Sequence, residues 1–485
     1  MKITNTMTRR KEEFIPLKTS EVTFYYCGPT VYSRASIGNM CGMVRGDLIH
    51  RSLKYLGYKV KMVRNLTDFG HLTGDNIGDA DIGEDRMEKG ARREGISPEE
   101  VATKYIKLYN EDTKKLHVLP VTYSVRATSY IKEMIELVKI LIDKEYAYVT
   151  PRAIYFDVSK FPRYNDLNRQ KLSQNRKGAG AGKVEDKNKR HYYDFAVWFF
   201  KTGVHKNALQ YWESPFKSPN VEKGYGFPGW HIECSAMALK LLGDTIDIHM
   251  GGVEHIAIHH TNEIAQSEAA TGKKFVNYWI HNEHLLINGK KMSKSLGNIY
   301  CLDDIINKGY SPLDLRYFFL QAHYRSKQNF TWEALEGARI AREKVLIETQ
   351  KVYTEASLDG DFQVDITDER YQKVFIKAIS NDFDIPKALG ILWKTLNDDT
   401  LDKKVKFSLI FSFNTIFDIG IFETIKKINN LTEKQYKKIQ KLIEARDKAR
   451  KGQDWKKSDQ IRDQLKEMHI MVQDEENQTQ WYFVD

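Results

Sequence analysis

The feature that most constrains the fold is an apolar strand followed by a turn and a long helix near the start of the chain. The β-branched and aromatic run Val22–Tyr26 ends at Cys27-Gly28-Pro29-Thr30. A helix is predicted over Ile37–Tyr55, and Tyr58–Asn65 has the composition of a second strand. A strand, a helix and a further strand in this order predict a βαβ unit. The chain is therefore expected to open a doubly wound parallel sheet.

Later regions extend this pattern and then change it. Residues 125–145 have apolar positions at helical spacing and predict a helix. A second α/β stretch is expected between Gly224 and about Tyr300, with elements at His231–Leu242 (helix), Thr245–His249 (strand) and His259–Gly272 (helix). Beyond Asp303 strand signals nearly vanish. Amphipathic helices are predicted there at Asp314–His323, Trp332–Val352, 368–422 and Glu433–Met468, the last broken at Gly452.

Composition excludes several classes of protein. Aromatic residues make up 12% of the 485 residues, which excludes an intrinsically disordered chain. Four cysteines are too few for a disulfide scaffold and are typical of a reducing compartment. The first residues lack an apolar signal-peptide core, and no apolar run reaches the ~20 residues that a membrane span needs. A soluble cytoplasmic protein with no membrane partner is expected.

The excess of basic residues is concentrated in two segments. The net charge is +10, and residues 431–470 contribute twelve Lys and Arg against seven Asp and Glu. Residues 169–190 hold eight basic residues and two acidic ones, and Lys177–Arg190 with its Gly-Ala repeats predicts a loop. Either cluster alone is more often a solvated surface than a nucleic-acid site. Contact with a polyanion is favoured only if other features point there.

The most specific short string is Lys291-Met292-Ser293-Lys294-Ser295, which follows the strand-like segment His284–Ile287. Two ammonium groups three residues apart, with hydroxyls between them, can close on phosphates as negative charge develops in a transition state. A bare Lys-x-x-Lys-Ser pattern is usually a surface loop. The full string, however, resembles the signature of class I aminoacyl-tRNA synthetases.

A partner motif occupies the first β-to-α turn. Ser36-Ile37-Gly38-Asn39 resembles the His-Ile-Gly-His signature of the same class. Glycine lets the backbone approach a nucleotide, and the helix N-terminus supplies amide donors to phosphates. The tetrapeptide is weak evidence alone and gains weight from the motifs on both sides of it.

Longer strings identify the member of the class. The chain is similar to cysteinyl-tRNA synthetases over essentially its whole length, in the motifs Cys27-Gly28-Pro29-Thr30-Val31-Tyr32, Asn65-Leu66-Thr67-Asp68, Pro228-Gly229-Trp230-His231-Ile232-Glu233-Cys234-Ser235-Ala236-Met237 and His259-His260-Thr261-Asn262-Glu263-Ile264-Ala265-Gln266-Ser267. The resemblance implies an α/β class I fold, Rossmann-like with an insertion, followed by an all-α bundle and a small anticodon-binding domain. Its expected divisions are 1–118 and 223–302 (catalytic halves), 119–222 (connective insertion), 303–345 (stem contact), 346–425 (bundle) and 426–485 (anticodon domain).

The resemblance also implies a reaction and its partners. Cysteine would be activated by ATP with Mg²⁺, and the cysteinyl-adenylate would pass its acyl group to tRNA(Cys), in a monomeric enzyme. Lys294 is expected to stabilise the phosphate, with Lys291 second and Ser36 as a further catalytic group. The expected ATP-binding residues are Gly38, Asn39, Ser293, Ser295 and Lys294. The expected cysteine-binding residues are Thr67, Trp230 and Gly28, with His231 nearby.

A zinc site follows from the same resemblance. The positions that match the family's ligands are Cys27, Cys234, His259 and Glu263, of which the last two share one helical face at i, i+4. Without the family, these would be core cysteines and a surface helix. Zinc binds a thiolate and not a neutral alkanol, so it can reject serine without an editing domain, for which the chain has no candidate. Cys41 and Cys301 match no ligand, and small buried side chains are expected for both.

Two positions depart from the family pattern. Ser36 replaces a histidine thought to hold ATP phosphates, and serine cannot carry positive charge. The run Asp68-Phe69-Gly70-His71 also differs from the usual acids, and His71 is a candidate for compensation. Two other functions stay open: a cysteine-adenylating amide ligase that acts on a small amine, and a non-catalytic tRNA-binding homologue. The basic C-terminal helices argue against the first, and the intact lysine loop and metal ligands argue against the second.

Overall fold

The protein is described here by a computed structural model covering residues 1–70, 72, 85–170, 188–293, 296–358, 364, 366–474 and 479–484. Most of the predicted loop Lys177–Arg190 lies outside the described residues, as do His71, Lys294 and Ser295. The chain forms two compact units, Met1–Leu302 with Tyr324–Asn329, and Asp303–His323 with Phe330–Asp485. Within the described residues, no helix combines the length and apolarity needed to cross a bilayer.

The first part of the chain alternates strands and helices. Its elements are β1 (Lys2–Asn5), β2 (Arg10–Glu13), β3 (Glu21–Tyr26), α1 (Ile37–Tyr55), β4 (Lys59–Leu66), α2 (Arg86–Glu94), α3 (Pro98–Lys115), β5 (Tyr123–Arg126), α4 (Ile131–Asp143), β6 (Ala147–Val149), β7 (Ala153–Phe156), β8 (Phe195–Phe200), β9 (Gly226–Pro228), α5 (Trp230–Leu242), β10 (Ile246–Gly252), α6 (His259–Thr271), β11 (Val276–Asn282), β12 (Leu285–Ile287) and β13 (Lys290–Lys291). The predicted βαβ unit is confirmed as β3, α1 and β4.

The central sheet has five parallel strands in the order β5-β4-β3-β10-β11. Phe24 in β3 lies opposite Met62 in β4 and Ile248 in β10, and all three side chains are buried. The chain moves outward from β3 to β5 and then returns to place β10 on the other side of β3. In open α/β sheets ligands bind at the carboxyl ends of the strands where the order reverses. Here that position lies between β3 and β10, next to Cys27.

The α1 helix begins with a reciprocal cap. Ser36 Oγ accepts the Asn39 backbone N–H at 3.3 Å, and Asn39 Oδ1 accepts the Ser36 backbone N–H at 3.0 Å. The Ser36 hydroxyl also donates to Asn39 Oδ1 at 2.9 Å. These bonds satisfy donors that a helix start leaves without partners. Ser36 and Asn39 therefore form the N-terminal cap of α1.

The predicted helix over 125–145 starts later than the apolar spacing indicated. Tyr123–Arg126 is the edge strand β5, although it lies within the range predicted as the insertion, and Ala127–Tyr130 forms a 3₁₀ turn before α4. Asp68 explains this start, because it accepts bonds from the Thr128 backbone N–H (2.9 Å) and hydroxyl (2.7 Å). The periodicity of α4 was correct, but a carboxylate 60 residues away in sequence holds its first turn in another conformation.

An antiparallel sheet follows in the order β6-β7-β8-β9. Its strands are short and strongly apolar, and every residue of β8 is buried. This sheet ends at Pro228, directly before α5 begins at Trp230. The chain therefore passes from this sheet directly into α5, the helix that contains Cys234.

Helices dominate the rest of the chain, as predicted. The elements are α7 (Leu302–Asn307), α8 (Pro312–Leu320), β14 (Gln328–Phe330), α9 (Trp332–Glu355), α10 (Arg370–Ile379), α11 (Ile385–Leu396), α12 (Lys403–Phe417), α13 (Ile421–Asn429), α14 (Glu433–Lys451), α15 (Trp455–Glu467), β15 (Ile470–Asp474) and β16 (Thr479–Phe483). The buried Arg342 guanidinium binds Asp314 at 2.8 Å and the Ile419 carbonyl at 3.1 Å, joining α9 to α8 and to the end of α12.

The weakness of strand signals beyond Asp303 predicted helices almost throughout, and this prediction is wrong at the end of the chain, where β15 and β16 form. The antiparallel pair β15 and β16 covers an apolar cluster of α14 and α15 that includes Ile439, Ile461 and Leu465. The strands are five residues each and mix polar with apolar positions, so their local pattern was weak. The apolar faces of the two charged helices are buried only because this hairpin packs on them.

Candidate active site

Four side chains from three elements meet at the carboxyl ends of β3 and β10. One donor atom each from Cys27, Cys234, His259 and Glu263 lies within 4.8 Å of the others, and all four residues are buried. Cys27 follows β3 directly, Cys234 lies in α5, and His259 and Glu263 share one face of α6. These are the four residues expected from the family resemblance, and tertiary folding brings them together.

The spacing and chemistry of this group fit a zinc ion. The two sulfur atoms are 3.9 Å apart, and His259 Nε2 lies 3.1 Å from Glu263 Oε1. Ligand bonds of about 2.0–2.3 Å in a tetrahedron separate neighbouring donor atoms by roughly 3.3–3.8 Å. Two thiolates, an imidazole and a carboxylate form a set that zinc accepts, and the sulfurs disfavour hard cations such as Mg²⁺.

The structure adds two histidines that the sequence analysis did not assign. His249 and His260 form a second, overlapping donor set with Cys27 and Glu263, again within 4.8 Å. Cys27 Sγ lies 3.4 Å from His260 Nε2, and His249 Nε2 lies 2.9 Å from Glu263 Oε2. Only His260 had a sequence signal, its position beside His259 in one helix, whereas His249 comes from a neighbouring strand.

Further histidine contacts hold these rings in place. His260 Nδ1 lies 2.7 Å from His281 Nε2, whose other nitrogen lies 2.8 Å from the Thr6 hydroxyl. On the other side, His231 Nδ1 lies 3.0 Å from His259 Nδ1. Hydrogen bonds to the second nitrogen of an imidazole fix its orientation toward a metal.

Burial controls the protonation of this cluster. It raises the pKa of the Cys27 and Cys234 thiols, and it also raises the pKa of the Glu263 carboxyl against the lowering effect of His249. Burial, together with neighbouring histidines, lowers the pKa of His260. Each shift favours the neutral form of its group. For the two thiols and the Glu263 carboxyl a bound cation reverses this preference, because these ligands must be deprotonated, whereas neutral imidazole is already the form that binds a metal. Metal affinity is therefore expected to fall in acid.

The residues predicted to bind the amino acid border the same cluster. The Trp230 ring stacks on His259 with centroids 4.1 Å apart and planes at 29°. Gly28 donates its backbone N–H to Asn65 Oδ1 at 2.8 Å. A Cβ at Gly28 would lie 1.8 Å from the Asn65 carbonyl oxygen, so this turn has no room for a side chain. The Thr67 hydroxyl donates to Glu233 Oε2 at 3.1 Å, in a buried position.

The two signature motifs lie against each other. A Cβ at Gly38 would lie 2.0 Å from Met292 Cε, so the glycine allows the lysine loop to approach the start of α1. Asn298 braces that loop, since its Oδ1 accepts the Ser293 backbone N–H at 2.8 Å and its Nδ2 donates to the Lys291 carbonyl at 3.1 Å. Lys291 itself is exposed, whereas Lys294 and Ser295 fall outside the described residues.

The remaining cysteines belong to neither donor set among the described residues. Cys41 is buried in α1, as expected. Cys301 is only half-buried, which corrects the expectation of a core position. It lies outside the helices and named strands, directly before α7, and its backbone forms an isolated bridge with Ser36.

The fold is that of class I aminoacyl-tRNA synthetases. The chain superposes on a Mycobacterium tuberculosis methionyl-tRNA synthetase with bound methionyl-adenylate at a TM-score of 0.57 and 13% identity, covering 84% of this chain and 93% of that one. A leucyl-tRNA synthetase from Agrobacterium radiobacter K84, in a ternary complex with tRNA, gives a TM-score of 0.60 at 11% identity, covering 87% and 86%. Identities this low show the fold alone.

Sequence comparison defines the family within that class. Residues 13–340 match the profile of the class I (C) tRNA synthetase catalytic domain, and residues 437–481 match that of the cysteinyl-tRNA ligase anticodon binding domain. A cysteine–tRNA ligase from Treponema denticola is 40% identical over 99% of both chains, and one from Brachyspira hyodysenteriae is 37% identical over 98% of both. The chain belongs to the cysteine–tRNA ligase family, as its motifs predicted.

Proposed function

We propose that the protein attaches L-cysteine to tRNA(Cys) in two steps, through a cysteinyl-adenylate formed from ATP. The observation that carries this proposal is the convergence of Cys27, Cys234, His259 and Glu263 beside the sheet crevice of a chain that belongs to this family. The match to an anticodon-binding domain favours tRNA as acceptor over a small amine. The cytoplasm is the proposed place of action, where ATP and tRNA are available.

The four converging side chains are the proposed zinc ligands, and His249 and His260 border them. Zinc, when bound, supplies a Lewis acid that binds the thiolate of cysteine and not the neutral hydroxyl of serine. Trp230 covers one face of the His259 ring, with the ring centroids 4.1 Å apart, and is the proposed neighbour of the cysteine side chain. Gly28 and Thr67 line the part of the pocket that holds the amino-acid backbone.

The start of α1 and the lysine loop form the proposed ATP site. The backbone of Gly38 and the side chain of Asn39 lie at the N-terminus of α1, where the negative charge of the phosphates is favoured. Lys294 and then Lys291 are the proposed donors to the phosphate as the cysteine carboxylate attacks it, with Ser293 and Ser295 as hydroxyl partners. Mg²⁺ accompanies the nucleotide, and Ser36 supplies one hydroxyl near the same helix end.

The C-terminal helices are the proposed contact with the tRNA anticodon. α14 and α15 lie in the segment with twelve basic and seven acidic residues. Trp455 has 59% of its surface exposed, so its ring is available to stack on an unpaired base. The Trp481 ring, by contrast, packs against Phe483 and the apolar cluster of this region.

The proposal is tested by two assays on the whole chain described here by its sequence. Cysteine-dependent ATP–pyrophosphate exchange reports adenylate formation, and charging of tRNA(Cys) reports the complete reaction. Exchange without tRNA charging would favour the amide ligase, and tRNA binding without exchange would favour a non-catalytic homologue. Metal content completes the test, because Cys234→Ser replaces a thiolate by a poor zinc ligand. Cys41→Ala, at a buried cysteine outside both donor sets, is the matched control.

For Cys234→Ser we expect loss of stoichiometric zinc and of cysteine binding, with zinc retained in Cys41→Ala. Full metal content with unchanged cysteine affinity in Cys234→Ser would contradict the proposed ligands. The overlapping set that contains His249 and His260 would then be the better assignment.

A further inference from the structure

A buried arginine links α1 to the chain segments that support the lysine loop. Arg45 lies in α1 and is 2% exposed. Its Nη1 donates to the Glu283 carbonyl at 2.6 Å and to the Tyr324 carbonyl at 3.4 Å. Its Nη2 donates to the Ser326 carbonyl at 3.3 Å and to Gln328 Oε1 at 3.4 Å. The sequence analysis gave Arg45 no role.

Three of these four acceptors lie in residues 324–329, which belong to the first compact unit together with Arg45. This segment leads into β14, which pairs with β12 in the sheet order β13-β12-β14. Asn329 Oδ1 accepts the Gly289 backbone N–H at 2.6 Å, in the turn between β12 and β13. Since β13 ends at Lys291, the segment bound by Arg45 supports the hairpin that enters the lysine loop.

The same helix also holds the chain that leaves the loop. The Ile37 backbone N–H donates to the Tyr300 carbonyl at 2.8 Å, and Ser36 and Cys301 form an isolated backbone bridge. α1 therefore binds the chain after the loop through its N-terminus and the chain before the loop through Arg45.

The turn that Arg45 binds has little buried surface of its own. The side chains of Arg325, Ser326 and Lys327 are exposed, so burial of apolar surface does not fix this turn. A guanidinium presents five N–H donors in one plane and can bind acceptors from separate segments at once. All four acceptors of Arg45 are neutral oxygens, and burying a charge without a carboxylate partner costs stability. Packing alone therefore does not explain an arginine at this position.

We propose that Arg45 is a positioning residue that fixes the lysine loop against the start of α1. The inference rests on the proposed function, in which the loop lysines and the N-terminus of α1 act on the same phosphates. A misplacement of about 1 Å in such a site can lower a rate by about 10²-fold. Because the lysine contacts strengthen in the transition state, loss of Arg45 should lower the rate of adenylate formation more than it weakens substrate binding.

The test compares variants at two buried arginines of the 485-residue chain. Arg45→Met removes the donors but keeps an unbranched side chain, and Arg45→Lys keeps the charge and part of the hydrogen bonding. Arg316→Met is the matched control, because Arg316 is also buried and donates to the Phe417 carbonyl at 2.6 Å and the Ile416 carbonyl at 3.4 Å in the second compact unit. Each variant is assayed for backbone amide hydrogen exchange by mass spectrometry, zinc content, cysteine affinity by calorimetry, and ATP–pyrophosphate exchange.

In Arg45→Met we expect the amides of residues 285–291 to exchange hydrogen about tenfold faster or more, as for loss of a hydrogen bond to a charged group. The same amides should be unchanged in Arg316→Met. The kcat of pyrophosphate exchange should fall about tenfold or more in Arg45→Met, while zinc content is kept and cysteine affinity changes by less than about twofold. Arg45→Lys should recover part of both losses, and Arg316→Met should keep full pyrophosphate exchange.

Unchanged amide protection of residues 285–291 in a folded Arg45→Met protein would overturn the inference. Equal losses of kcat, cysteine affinity and zinc would show a general structural role and would overturn it as well. If the wild-type protein binds zinc but gives no pyrophosphate exchange, the proposed function fails, and amide exchange still decides whether Arg45 holds the hairpin. Should Arg45→Met not fold, Arg45→Lys must show faster amide exchange at residues 285–291, and unchanged protection there would refute the proposal.

Discussion

Replacing Ser36 by alanine separates the structural role of this residue from its proposed catalytic one. The Ser36 hydroxyl accepts the Asn39 N–H at 3.3 Å and donates to Asn39 Oδ1 at 2.9 Å. The hydroxyl is thus already used within the cap. To donate to a phosphate it must turn away from Asn39, whose side chain still holds the Ser36 backbone N–H at 3.0 Å. The helix start therefore survives the change of partner.

The chain offers a matched control in a second cap of the same design. Ser97 begins α3, accepts the Glu100 N–H at 3.3 Å, and donates its hydroxyl to Glu100 Oε2 at 2.7 Å. Loss of a serine N-cap costs about 1 kcal/mol of folding free energy, so Ser36→Ala and Ser97→Ala are expected to be destabilised equally. Chemical denaturation measures this cost. Ser97 lies in neither signature motif, so Ser97→Ala should keep full exchange activity.

The activity difference between the two variants then isolates the contact with ATP. Ser36→Ala is expected to lower ATP–pyrophosphate exchange about tenfold, the worth of one hydrogen bond to a charged group at about 1.4 kcal/mol. Ser36→His restores a cationic donor and should retain or improve exchange, although it also loses the cap. Equal exchange rates in Ser36→Ala and Ser97→Ala would refute the reasoning and leave Ser36 a cap only.

Three further predictions concern other parts of the chain. Lys294→Ala should slow adenylate formation far more than it weakens cysteine binding, because the contact of Lys294 with the phosphate is expected to strengthen as negative charge develops. Single-turnover kinetics measure the rate of adenylate formation, with Lys290→Ala, at an exposed lysine, as the control. A raised KM for cysteine with an unchanged rate would contradict the prediction. Trp455→Ala should lower tRNA charging and spare pyrophosphate exchange, since this side chain is 59% exposed in the basic segment and can stack on a base. Ile376→Ala, at another exposed apolar side chain, is the control. Undiminished tRNA charging by Trp455→Ala would exclude stacking of this ring on the tRNA. Burial lowers the pKa of His50 to about 4. Because the unfolded chain binds that proton near pH 6.5, the stability contributed by neutral His50 is present above that pH and decreases by about 3 kcal/mol as pH falls toward 4. His50→Gln should flatten the pH dependence of urea unfolding by that amount, and an unchanged slope would refute the assignment.

The sequence determined the parts of this protein that depend on local pattern. The strand Val22–Tyr26 and the helix Ile37–Tyr55 were predicted nearly to the residue, because apolar periodicity and turn residues decide such elements. The family was also identified from the sequence, because each of its motifs is a run of consecutive residues along the chain. The four proposed metal ligands came from that resemblance and not from their spacing.

Tertiary structure alone decided what depends on residues far apart in sequence. His249 and His260 meet Cys27 only because β10 pairs beside β3 and α6 packs behind them. The start of α4 depends on Asp68, and β15 and β16 depend on apolar faces of α14 and α15 that need a cover. The guanidinium of Arg45 binds Glu283 and residues 324–328, which are distant from it in sequence. Hydrogen bonds and burial depend on distances in the folded chain. The sequence therefore shows which residue types are present but not which of them form hydrogen bonds with one another.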